Sequence, residues 1–205
     1  MILKMKTEQS RRSLILLILF VLTFVLCGCS GGDDDYAETV IIVGKKGHVS
    51  ERIVESFSKD YYDIDELRGE FERSVSEYNE SIGSEEIQLR GVDLKDDRVF
   101  VNIDFNGPSD YEHFVGESLF VGTVNEAYDN GYTMDVTLKG VEDGDKIGKV
   151  QIMGMIDKDI VILSEHSRVR TFRDIAYVSA NVDVIGPKEA RVLSESDGLA
   201  YLLLK

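Results

Sequence analysis

The stretch Asp63–Gly83, DIDELRGEFERSVSEYNESIG, carries the clearest signal of local structure in the chain. Apolar residues recur in it every three or four positions, the spacing that places side chains on one face of an α-helix. They are Ile64, Leu67, Phe71, Val75, Tyr78 and Ile82. Asp63 can cap the first turn, with Glu66 three residues later as in a capping box, and Gly83 supplies the stop. The stretch predicts a helix whose apolar face covers a core, with a partner-binding groove as the alternative.

Alternating segments flank this helix on both sides. Glu86–Leu94 and Arg98–Phe105 are joined by the short segment 95–97, and in the second of them every other residue is apolar. Alternation of this kind predicts a β-hairpin with one buried face. On the N-terminal side, the β-branched run Thr39–Val43 is followed by Gly44-Lys45-Lys46-Gly47, which predicts a strand and then a turn.

A second helix is predicted after the Gly107-Pro108 break. Ser109 and Glu112 have the spacing of a capping box, and apolar residues continue from Tyr111 to Val124 before Asp129-Asn130-Gly131 ends the pattern. Glycines and β-branched residues inside this stretch lower its helix propensity.

From Tyr132 onward the apolar period is two, with turn-rich spacers between the segments. The predicted strands are 132–138, 149–156, 159–164, 169–173, 175–185, 190–193 and 199–204. The fold class is therefore predicted to be α+β, with two helices packed on an antiparallel sheet in residues 36–131, followed by a β-rich meander or small barrel in residues 132–205. The second half either extends the first sheet or closes separately, so residues 36–205 can also form one domain.

The N-terminus has the organisation of a secretory signal. Basic residues precede an uncharged run of thirteen residues, Leu14–Leu26, which is short for a helix that spans the roughly 30 Å hydrocarbon core of a bilayer. Leu26-Cys27-Gly28-Cys29 follows and resembles the lipobox of bacterial prolipoproteins. The resemblance implies a signal peptide of residues 1–28 and a lipidated Cys29 as the mature N-terminus, extracytoplasmic and anchored to the cell membrane by lipid. An ordinary cleaved signal or an uncleaved anchor is the alternative.

Removal of residues 1–28 leaves 19 Lys and Arg against 37 Asp and Glu. So acidic a chain is expected to repel nucleic acid and anionic lipid alike, so that its contact with the membrane comes from the lipid on Cys29. Residues 30–35 contain only serine, glycine and aspartate, and with Cys29 they predict a flexible acidic tether. Because both cysteines lie at the lipobox, the secreted part is expected to fold without a disulfide.

The motifs of catalysis are incomplete in this sequence. The three histidines are about fifty or more residues apart, and neither a phosphate-binding loop nor a GxSxG elbow is complete. Asp143 and Asp145 alternate before a glycine as in a calcium loop, but an EF-hand loop begun at Asp143 would put Ile147 and Gly154 where oxygen ligands are required. These two aspartates are retained only as weak metal candidates, and no catalytic residue, metal or cofactor is predicted.

The order of strand, helix, hairpin, helix and many strands resembles that of small uncharacterised lipoproteins of Gram-positive anaerobes. The hairpin that ends in Val99–Phe105, with the helix predicted after it, is also similar to the GerMN module of germination and sporulation lipoproteins over about 45 residues. Neither resemblance implies catalytic residues. The favoured hypothesis is a non-enzymatic, lipid-anchored module that binds a partner protein or another component of the cell envelope. The alternative is a lipid-anchored hydrolase that acts on wall or peptide substrates.

Overall fold

A computed structural model describes residues 37–59, 61–194 and 198–205. Within these ranges the chain forms thirteen strands and four helices. The strands are β1 Val40–Val43, β2 Val49–Ser56, β3 Ile87–Lys95, β4 Arg98–Phe105, β5 Leu119–Thr123, β6 Leu138–Gly140, β7 Lys146–Ile147, β8 Asp159–Leu163, β9 Arg168–Arg170, β10 Ile175–Ser179, β11 Val182–Gly186, β12 Glu189–Val192 and β13 Ala200–Leu204. The helices are α1 Ile64–Ile82, α2 Pro108–Val115, α3 Val124–Asp129 and α4 Lys149–Met153, and Lys45–Gly47 is a short 3-10 turn.

The strands form two open sheets, which confirms the predicted α+β class. One sheet has seven strands in the order β11-β12-β9-β1-β2-β4-β3, and the other has six in the order β5-β8-β13-β10-β6-β7. Strands on either side of residue 131 pair in both sheets: β1 lies parallel to β9, and β5 lies antiparallel to β8. The β-rich half therefore extends the first sheet and also builds most of a second one, and the described strands do not close into a barrel.

Helix α1 begins and ends where the sequence predicts. The Asp63 side chain accepts hydrogen bonds from the backbone N–H groups of Asp65 at 2.8 Å and Glu66 at 3.1 Å, and Gly83 ends the helix with a φ of 72°. That left-handed conformation costs glycine little. Phe71 and Val75 are buried in the main core, so the apolar face of α1 covers a core as predicted.

The single second helix predicted from Ser109 is wrong, because the stretch is helix, strand and helix. Helix α2 starts after Gly107 without a side-chain cap and stops at Gly116, whose φ is 90°. The Glu112 carboxylate accepts a hydrogen bond from the backbone N–H of Leu119 at 3.0 Å and does not complete a capping box. Leu119–Thr123 then joins the edge of the six-stranded sheet as β5, since its residues, β-branched and aromatic ones among them, suit a pleated strand.

Three predicted strands in the second half also differ from the structure. Residues 149–156 form α4 and a turn; Ile152 is fully buried there while Val150 is 82% exposed, as on the two sides of a short helix. Residues 132–138 are irregular until β6 begins at Leu138, and 175–185 is divided into β10 and β11. Strand β2 was not predicted, although it lies near the centre of the seven-stranded sheet.

Two apolar clusters define the layers. The main cluster joins the inner face of the seven-stranded sheet to one face of the six-stranded sheet, with α1 and α2 packed against it. The second cluster lies between the other face of the six-stranded sheet and helices α3 and α4. On β4 the residues Val99, Val101, Ile103 and Phe105 point to the main cluster. The alternate residues of this sheet define its outer face, which is turned away from the core.

Candidate functional site

The outer face of the seven-stranded sheet carries arginines in a row that crosses the strands. Arg191 of β12 is the register partner of Arg168 of β9, which lies beside Val40 of β1. Val40 in turn pairs with Arg52 of β2. Register partners share a face of a sheet, so three arginines from distant parts of the chain lie in one line.

Arg90 extends the row to the far edge of the sheet. Arg52 pairs with Asn102 of β4, which pairs with Gly91 of β3, next to a break in register between Leu89 and Gly91. The Arg90 Nε lies 2.6 Å from Oδ2 of Asp104, an outer-face residue, so Arg90 also faces outward. We call Arg191, Arg168, Arg52 and Arg90 the arginine row. At about 4.8 Å per strand, it spans roughly 24 Å.

Asp104 holds the β3 end of the row. Its Oδ1 accepts hydrogen bonds from Ser50 Oγ at 2.6 Å and from both terminal nitrogens of Arg52 at 3.2 Å. Burial by itself would raise the pKa of Asp104, but the hydrogen bonds from Ser50 and Arg90 and the charge of Arg52 lower this pKa below its ordinary value. The carboxylate therefore stays ionised and positions two guanidinium groups.

Glu38 and Glu189 hold the other end of the row. Arg168 Nη2 lies 3.0 Å from Oε1 of Glu189, and Arg168 Nη1 lies 3.4 Å from Oε1 of Glu38, which also contacts Arg191. Arg170, on the same face, lies 3.4 Å from Oε1 of Glu189. Each guanidinium is thus oriented by a carboxylate, in the geometry that suits planar anions.

The two outer members of the row remain accessible despite these ion pairs, whereas the side chains of Arg52 and Arg168 are only 24% and 21% exposed. The side chains of Arg90 and Arg191 are 53% and 47% exposed. Val40 is completely buried between Arg168 and Arg52, as expected when arginine stems lie over an apolar neighbour. Counted over its strands and Glu38, without the turns, the face carries an excess of two positive charges in a strongly acidic chain. Its cations are Arg52, Arg90, Lys95, Arg98, Arg168, Arg170 and Arg191, and its anions are Glu38, Asp93, Asp104, Asp183 and Glu189.

A second cluster of unusual chemistry lies inside the protein. Glu51 is on the inner face of β2 between its register partners Ile41 and Ile103, and it is only 4% exposed. Burial raises the pKa of Glu51 well above its ordinary value, and the nearby charge of Glu165 raises it further. Burial also raises the pKa of Glu165, in the loop between β8 and β9, to about 7.

Tyr111 contacts one member of this carboxyl pair. Its hydroxyl donates a hydrogen bond to Oε2 of Glu165, and its ring packs edge-on against Phe105 with centroids 5.3 Å apart. A carboxyl group with a pKa near neutrality can serve as a general acid or base. Tyr111 is fully buried and Glu51 nearly so, whereas Glu165 is half-buried.

The residues singled out from the sequence lie elsewhere. Cys29 is outside the described residues, so its predicted lipidation stays a prediction. Asp143 and Asp145 form the turn between β6 and β7, where Asp143 Oδ1 accepts a hydrogen bond from the backbone N–H of Asp145 at 2.9 Å and Gly144 has a φ of 74°. Across the described ranges, His, Cys, Asp and Glu side chains do not gather in threes that could bind a metal ion.

The sequence contained part of the signal for one of the two clusters. In Val49–Ser56 the core-facing positions hold Val49, Glu51, Ile53 and Glu55, and the carboxyl that lies between the two apolar residues is the buried one. The arginine row has no local signal, because its members come from four strands whose register is set only by folding.

Comparisons of the chain with protein families, with curated proteins and with solved structures found no match. Of the helices that the structure describes, none has the length and apolar character needed to cross a bilayer.

Proposed function

We propose that this chain is a lipid-anchored extracytoplasmic protein that acts as a non-enzymatic binding or assembly module of the cell envelope, with the arginine row as its contact for an anionic partner. The lipobox motif ending at Cys29 supports the anchor and the location. One observation carries the binding role: four arginines form a cationic line across a sheet face that lies opposite the core, and its two outer members, Arg90 and Arg191, are about half exposed. The partner is an envelope component, either a protein or an anionic surface, and not a nucleic acid.

The solvent exposure of the polar side chains favours a binding function over an enzymatic one. Of the pair Glu51 and Glu165, Glu51 is enclosed by the core and Glu165 is only partly exposed. The groups that solvent reaches are guanidiniums already oriented by carboxylates, which suit recognition more than bond cleavage. Surface ion pairs contribute roughly 0 to 1 kcal/mol each to stability, so keeping many of them on one face is better explained by binding than by folding.

A matched pair of double variants tests the binding role. Arg90→Gln with Arg191→Gln removes the two most exposed members of the row. Arg73→Gln with Arg173→Gln removes two arginines of similar exposure, 59% and 51%, that each pair with one carboxylate elsewhere. Binding of a fluorescent inorganic polyphosphate probe is measured by anisotropy at low salt.

We expect the row variant to weaken binding of the probe by roughly tenfold, about 1.4 kcal/mol, because two charge contacts are lost. The Arg73 and Arg173 variant should bind as the unchanged protein does. Equal weakening in both variants would mean that net charge, and not the row, governs binding, and the proposed site would be wrong.

The hydrolase alternative has one observation in its favour, the pKa of Glu165 near 7. Its test is hydrolysis of peptide and cell-wall substrates by the unchanged protein and by Glu165→Gln. Turnover that disappears in a folded Glu165→Gln protein would replace the binding hypothesis by the enzymatic one.

A further inference from the structure

We propose that the arginine row lies against the anionic phospholipid headgroups of the membrane that carries the lipid anchor, so that the module is held with the outer face of its seven-stranded sheet toward the bilayer. This proposal rests on the proposed function, since it requires the lipid on Cys29. The partner of the row is then the phosphate groups of the phospholipids in that membrane.

The chain enters the described structure at this face. Ala37 and Glu38 are its first two described residues. The Ala37 carbonyl accepts a hydrogen bond from Arg98, and Glu38 contacts both Arg168 and Arg191. The residues that lead to the anchor therefore reach the domain beside the arginine row.

Chain length keeps this face close to the bilayer. Cys29 to Tyr36 is a segment of eight residues, and eight residues span at most roughly 29 Å when fully extended. The opposite side of the molecule lies beyond a second sheet and a helix layer, which place it roughly 20 Å farther away. A chain fixed at Cys29 can therefore bring the arginine row to the headgroups, and because its full reach exceeds this distance, the charges of the two sides must select the orientation.

The charge distribution favours the same orientation. The outer face has an excess of two positive charges, while α1, which packs against the inner face of the sheet, holds Asp65, Glu66, Glu70, Glu72, Glu77 and Glu80 against only Arg68 and Arg73. An anionic membrane attracts the first surface and repels the second. Guanidinium groups also match phosphate oxygens bidentately, so headgroups can share the row with its carboxylates.

The total charge of the chain explains why the anchor is required. The sequence predicts that so acidic a protein avoids anionic lipid, and a domain without its anchor would be repelled at long range. Once a lipid holds the domain at the surface, the local concentration of headgroups is high and a weak contact is enough to orient it. The row is therefore an orienting contact and not an independent membrane anchor.

The experiment uses the full lipidated protein in vesicles. If Cys29 carries lipid, a single introduced cysteine is the one thiol available for a dye, because Cys27 leaves with the signal peptide. Gln88→Cys places the dye on the outer face near Arg90, since Gln88 is exposed and pairs with Asp104. Val150→Cys places it on α4, on the far side of the second sheet, where Val150 is 82% exposed.

Quenching of each dye by lipids with spin-labelled headgroups is compared in phosphatidylcholine vesicles and in vesicles with one third phosphatidylglycerol. We expect quenching at position 88 to exceed that at position 150 at least threefold in the anionic vesicles at low salt. The difference should disappear in 0.5 M sodium chloride, where the Debye length falls to roughly 4 Å. It should also disappear with Arg90→Gln and Arg191→Gln, but persist with Arg73→Gln and Arg173→Gln.

Equal quenching at the two positions, or a difference that does not depend on anionic lipid, would overturn the proposal. Protection of position 88 only when acidic envelope proteins are added would assign the row to a protein partner, which overturns this inference and leaves the proposed function standing. If the unlabelled protein does not stay with the vesicles, it has no lipid anchor, and both proposals are wrong.

Discussion

Replacing Glu165 by glutamine should make the stability of the protein less dependent on pH. Burial raises the pKa of Glu165 from 4.5 to about 7 in the folded chain. Between these two values the folded chain keeps a proton that the unfolded chain has lost. The free energy of unfolding therefore falls as the pH rises through this window, and the contribution is constant above it.

The size of this effect follows from the two pKa values. At about 1.4 kcal/mol per pH unit, the full window corresponds to about 3 kcal/mol, and about 2 kcal/mol of this falls between pH 5.5 and 8.5. These figures are upper bounds, because Glu165 as a residue is half-buried. Glu51 adds to the loss, since burial and the charge of Glu165 raise its pKa as well. The lowered pKa of Asp104 acts only at a more acidic pH.

The assay is urea unfolding at several values between pH 5.5 and 8.5, on protein that begins at residue 29 and carries Cys29→Ser. Glu165→Gln keeps an acceptor for the Tyr111 hydroxyl but cannot ionise. Over this pH range, the free energy of unfolding of the Glu165→Gln protein should decline by about 2 kcal/mol less than that of the reference, which is the same protein with Glu165 unchanged. Glu77→Gln, which removes an exposed charge from α1, should decline as the reference does. A Glu165→Gln protein whose decline equals that of the reference would refute the reasoning.

Three further predictions concern the core, the anchor and ions. Phe71→Ala should lower the free energy of unfolding by about 3 to 5 kcal/mol, because Phe71 is buried in the main core; a denaturant midpoint like that of exposed Glu72→Ala would contradict its burial. Cys29→Ala should move the protein out of the membrane fraction or leave an uncleaved precursor. If the intact mass of the native protein shows that it begins at Met1 and carries no acyl groups, the lipobox interpretation is wrong. The melting temperature should rise with sodium chloride, because salt screens the repulsion between carboxylates. Calcium at matched ionic strength should raise it no further. A calcium-specific rise of several degrees at micromolar ion would instead indicate a calcium site at Asp143 and Asp145.

The sequence by itself determined the elements whose signals are local. Helix α1 was predicted to the residue, because its cap, its apolar stripe and its terminal glycine all lie within Asp63–Gly83. The hairpin β3–β4 was predicted for the same reason, although its turn is the pair Asp96-Asp97, both with positive φ, where a segment of three residues was expected. In such stretches backbone geometry and side-chain spacing agree within a few residues, so tertiary contacts do not change the outcome.

Only the tertiary structure decided the features that depend on pairing between distant strands. The segment after Gly116 became β5 because β8 offered it a partner, although its own pattern also fitted a helix. Glu51 and Glu165, far apart in the chain, came close together when the loop after β8 reached the inner face of β2. The arginine row exists because parallel pairing of β1 with β9 aligns Arg168 with Arg52 across Val40. Register between strands is set by the packing of whole sheets, and that information is spread over the chain instead of being held in any one stretch.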